Sequence, residues 1–231
     1  MEGSAGPHRG EQGAPPAAGA SDWLLWQLVD SALPTGGFAH SGGLEAARQF
    51  GAVTGGAELA AFLETSLRQT ARAALPYVNV AFREPDRLAE WDAHCDTWLS
   101  NHVAHRASRL QGRAFWTAVG RAFLPGIGSA PEPGHLAPVF GWIAHRLGLS
   151  AAQTVRVFLF LHLRGLVSAS VRLGIVGPLE AQSIQGRLAP LAESLARDGA
   201  PFGLDDLAQT APLLEIWQAA HDRLYSRLFQ S

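Results

Sequence analysis

Four side chains of metal-ligating type fall close together in this sequence: His94, Cys95, His102 and His105. Imidazole and thiolate suit zinc and nickel, and His102 and His105, three apart, could share one helix face. No second matched pair accompanies them, and Cys95 falls on an apolar stripe with Trp91 and Trp98. They read either as ordinary helix faces or as a transient relay point for an ion, with His102 and His105 the weak candidates. Nucleophilic chemistry has less to work with. A Ser41–His40 or Cys95–His pair needs an oriented third group and an oxyanion pocket, and neither Ser41 nor Cys95 sits at a strand-to-helix elbow. All 18 basic residues are Arg, so a phosphate-gripping P-loop lysine is excluded. No catalytic residue is assigned.

The segment Leu33-Pro34-Thr35-Gly36-Gly37-Phe38-Ala39-His40-Ser41-Gly42-Gly43-Leu44-Glu45 is the most distinctive in the chain. Glycine pairs permit positive φ and close backbone approach. The segment reads as a tight helix–helix turn, or as a shaped corner that presents Phe38, His40 and Glu45. Taken alone, Glu45 is also what a first helical turn favours through the helix dipole. Arg172 lies in an apolar, small-residue stretch, where a buried guanidinium must be paired or bonded to carbonyls. Arg227 alone reads as a solvated residue near a helix end.

The elements that position these residues are helical. Ser21, Asp86 and Asn101 are placed to cap helices, and Ser150 with Gln153 forms a capping box. Leu59, Phe62, Leu63 and Leu67 recur at helical spacing, as do Val103, Ala107, Leu110, Ala114 and Val119. Residues 205–229 read as a last helix, kinked at Pro212. No window alternates with period two, so no sheet is expected. The fold class is all-α: a single-domain helical bundle of about ten helices over residues 22–231. Residues 1–21, a Gly/Ala/Pro tail, are expected to be disordered.

With 231 residues, 47% apolar, 16% charged and a net charge of −2, the composition is globular with a thin charged surface, which hints at extra buried interface. It suggests neither nucleic-acid nor membrane binding. Residues 155–171 are apolar but broken by Arg156, His162 and Arg164, which reads as a buried core helix rather than a span. A single cysteine excludes an intrachain disulfide and fits a reducing compartment.

Leu33 to Glu45 resembles the signature of the urease accessory protein UreF family, in its plant and eukaryotic form. Further stretches are similar to the same family in the same order: Ser100 to Gly112, His135 to Gly148, Ser168 to Leu173 with Gly177-Pro178-Leu179, and Tyr225-Ser226-Arg227-Leu228-Phe229. The resemblance implies an all-α homodimer in the cytoplasm. It would join the accessory protein UreD/UreH, recruit and regulate the GTPase UreG, and load nickel into apo-urease. It implies no enzyme activity and no tightly bound cofactor, with nickel at most in transit. Phe38, His40, Glu45, Arg172, Tyr225 and Arg227 are the partner-binding residues it suggests, Arg172 alternatively facing a polar interior channel. A helical metal-binding module, or a GTPase-regulating scaffold for another metalloenzyme, stays open beside this reading.

Overall fold

Ten α-helices and no strand are present among the described residues, 21–231, of the structure, a computed structural model. The tail expected at residues 1–21 lies outside the described residues except for Ser21. Ser21 Oγ accepts from the Leu24 amide at 3.3 Å and starts α1 (Asp22–Leu28). The glycine-rich corner leads into α2 (Leu44–Gln49), and α3 (Gly56–Ala73) buries Leu59, Phe62, Leu63 and Leu67 along one stripe. Pro76 sits in the first turn of α4 (Leu75–Arg83), where a missing N–H costs nothing.

The start of α5 (Leu88–Trp98) differs from expectation. Asp86 lies in a short 3-10 turn, Pro85–Arg87, and caps nothing. Arg87 occupies the N-cap position and reaches Glu84 and Glu90 with its guanidinium. Asn101 does cap α6 (His102–Phe123), accepting from Val103 N at 3.1 Å and Ala104 N at 3.2 Å. On α6 the buried stripe runs through Val103, Ala107, Phe115, Trp116 and Val119, while Leu110, expected inside, is exposed.

After α7 (Leu136–Arg146), the Ser150–Gln153 capping box opens α8 (Ala151–Arg172). By length and composition α8 is apolar enough to cross a membrane. Here it is a core helix, packed against α9 (Pro178–Gly199), α3, α4, α2 and α7. Its polar groups are met from inside. His162 Nε2 lies 2.8 Å from Ser66 Oγ and 3.1 Å from Thr70 Oγ1, and burial pushes its imidazole down to about 4, so it is neutral at pH 7. Arg164 donates to the Val29 carbonyl just beyond α1.

The last helix is shorter than the sequence suggests. Pro212 is the first residue of α10 (Pro212–Ala220), not a kink within it. Gln69 Oε1 on α3 accepts from Thr210 N at 2.6 Å and Ala211 N at 3.0 Å, and this fixes where α10 begins. Beyond Ala220 the chain leaves helical geometry after one 3-10 turn, and residues 224–231 run back over the glycine-rich corner.

Candidate functional site

The corner and the segment 221–231 form one unit, built around a single carboxylate. Glu45, in the first turn of α2, is only 2% exposed. Its Oε1 accepts from Leu228 N at 2.6 Å, and its Oε2 accepts from Phe229 N and from His221 Nε2, both at 3.1 Å. Three donors satisfy the carboxylate, which is the condition for burying a charge without a large penalty. Ser41 extends the clamp: its amide donates to the Ser231 carbonyl oxygen at 2.6 Å and its hydroxyl to the same oxygen at 3.0 Å. His40 Nδ1 shares a 2.6 Å hydrogen bond with Ser231 Oγ, and Gln230 N donates to the Ala39 carbonyl at 2.8 Å. Burial, then the neighbouring charges of His221 and Arg106, push His40 down to about 4.

The glycines explain how the chain gets there. Gly43 has φ +88°, and a β-carbon on it would lie 2.9 Å from the Gln218 amide nitrogen of α10. Only glycine meets both demands. It lets α2 start directly against α10, which brings Glu45 within reach of His221.

Arg172, expected in the interior, stands at the rim of this unit, half-buried. As the final residue of α8 it donates to the Phe38 carbonyl. Its guanidinium carbon lies 3.8 Å from the Phe38 ring centroid and 4.2 Å from that of Phe229. A planar cation held between two aromatic faces is a use of Arg that Lys does not reproduce.

The six residues suggested for partner binding therefore divide. Glu45 and His40 are buried and spent on the segment 221–231, so neither offers a contact surface in this chain. Phe38, Tyr225 and Arg227 are exposed around them, as is Leu228, and Arg172 links corner to segment. Sequence reasoning missed His221, Ser231 and Asp222. Asp222 Oδ1 receives Arg106 at 2.7 Å and Arg227 at 3.4 Å, and its Oδ2 lies 3.3 Å from His102 Nε2. The Arg106 hydrogen bond holds the Asp222 carboxyl below its usual range. The order His221-Asp222 just after a helical pattern was the available signal, but nothing in the sequence gives their partners.

The His/Cys group separates too. His102 pairs with Asp222, and His94 Nδ1 lies 2.9 Å from Tyr77 Oη. Cys95 is buried in the core, where burial pushes its thiol well above its ordinary value. Only His105 keeps imidazole company: it meets Asp96 and His135 where α5, α6 and α7 converge. The hydroxyl of Ser41 and the ring of His40 are both engaged by Ser231, so they do not form a nucleophile–base pair.

Comparison with known proteins agrees with the motifs. The family model UreF matches residues 53–189. The chain is similar to the "Urease accessory protein F" of Arabidopsis thaliana, 37% identical over 228 residues that cover 93% of this chain and 95% of that one. It is equally similar to that of Oryza sativa subsp. japonica, 37% over 220 residues, 90% and 84% of the two chains. The "Urease accessory protein UreF" of Mycobacterium tuberculosis is 33% identical over 211 residues, 90% and 98% of the two chains. The sequence signature at the corner, the all-helical fold around it and these relatives converge on one statement: the chain belongs to the UreF family of urease accessory proteins.

Proposed function

We propose that this protein is a urease maturation factor of the cytoplasm that catalyses no reaction itself. As a homodimer it joins UreD/UreH, and the pair recruits the GTPase UreG and regulates it, so that nickel passes into apo-urease. The observation that carries this reading is the corner. A buried clamp of Glu45, Ser41 and His40 holds a segment whose outward side chains, Tyr225, Arg227 and Leu228, stand exposed beside Phe38. Aromatic and Arg side chains presented on a rigid support are what interfaces enrich. Coupling to a GTPase further requires that the assembly bind one nucleotide state more tightly than the other.

Co-purification with the cognate UreD and UreG, loaded with GTP or with GDP, tests the reading. A ternary complex that prefers one nucleotide state is the expected result, and the absence of any complex under every nucleotide condition overturns it.

A further inference from the structure

We propose that Asp96, His105 and His135 bind a single divalent transition-metal ion of the zinc and nickel class. Three helices deliver them: Asp96 from the last turn of α5, His105 from the first turn of α6, and His135 from the N-cap of α7. Both imidazoles direct Nε2 at one atom, Asp96 Oδ1, from 2.8 Å and 3.0 Å, and the three donor atoms lie within 4.8 Å of one another. Ligands bonded to zinc at about 2.0–2.2 Å sit roughly 3.3 Å apart in a tetrahedron. Opening the two N–O distances by about 0.3–0.5 Å, with the two imidazole nitrogens settling at the same spacing, therefore lets one cation replace the protons that now bridge these groups. Two imidazoles and one carboxylate suit a borderline divalent metal and leave a fourth position for water.

The surroundings are those of a prepared ligand. His135 is fully buried, and its Nδ1 lies 3.2 Å from Ser108 Oγ. A hydroxyl can donate to that nitrogen or accept from it, so Ser108 serves the ring both before and after Nε2 takes a metal. The backbone at His135 is fixed as well. Asp92, itself fully buried, accepts the amides of Gly134 at 2.6 Å and His135 at 2.8 Å. Gly112 lets this loop close, since a β-carbon there would collide with the Gly134 carbonyl oxygen. The other half of the site is open: the Asp96 side chain is 42% exposed and that of His105 25%. A rigid buried ligand with two accessible ones gives an ion a way in. This site differs from a His102–His105 pair, because His102 faces Asp222 instead. It stands on these side chains alone, independent of the partner reading above.

The rival explanation is a metal-free hydrogen-bonded triad that only pins three helix ends. Equilibrium dialysis of the metal-free full chain against zinc and, separately, nickel distinguishes them. One ion per chain is expected for at least one of the two metals. His105→Ala and Asp96→Asn each weaken binding at least tenfold, while His102→Ala leaves it unchanged. Circular dichroism of the two variants, whose altered side chains are partly exposed, checks that they stay folded, and His105→Gln serves if the alanine variant does not. Cobalt(II) provides a second readout, with visible absorption of tetrahedral intensity in the parent chain that is lost in the variants. No binding of either metal, or binding that survives both substitutions, overturns the proposal.

Discussion

Glu45 and Tyr225 belong to the same corner but answer to different forces. Removing the Glu45 carboxylate strands two backbone amides and an imidazole away from water. Glu45→Ala should therefore cost about 3–5 kcal/mol, read from denaturant unfolding, and should speed proteolysis within residues 221–231. Tyr225 is fully exposed, so Tyr225→Ala should move stability by less than about 0.5 kcal/mol. If its ring anchors a partner, the same change should weaken capture of UreD by tenfold or more. Titration adds a third expectation. Burial holds His40 and His162 at about 4, against about 6.5 in an unfolded chain. Between those values the unfolded state binds more protons, so stability is complete above about pH 6.5 and is lost as pH falls toward about 4. Unfolding midpoints at pH 7.5 and pH 5 should show the loss, and His40→Gln should reduce it. Glu45 was legible in the sequence as a distinctive residue, but its burial was not. A helix of six residues carries too little periodicity to show which face is covered, and its partners lie 176 to 184 positions away.

Helices were legible where the sequence stops and starts them locally. Asn101 and Ser150 cap as their side chains dictate, because both acceptor and amides lie within three residues. Asn101→Ala should lower stability by about 1–2 kcal/mol in the same unfolding assay, since its amide also donates to the Glu215 carbonyl at 2.8 Å. The final helix was not legible, for the opposite reason. Its start is set by Gln69, 141 positions upstream of Thr210, and its end by the pull of Glu45 on the chain beyond Ala220. The Asp96–His105–His135 meeting escaped notice for the same cause. His102 and His105 are close in sequence, yet the side chain that joins His105 comes from the loop after α6, where only the fold brings it near.

Across the whole molecule, the all-α class followed from composition and period, and the core helix α8 from its apolar run. The division of the corner into a hidden clamp and an exposed rim needed three dimensions. That division has a consequence in time. The clamp joins residues 39–49 to residues 221–231, contacts about as distant along the chain as any among the described residues. During synthesis the corner emerges from the ribosome early and waits, its Glu45 carboxylate unmatched, until nearly every helix has been made. A nascent or prematurely ended chain can hold most of the helical core and still lack the rim of Phe38, Tyr225 and Leu228 in its finished arrangement.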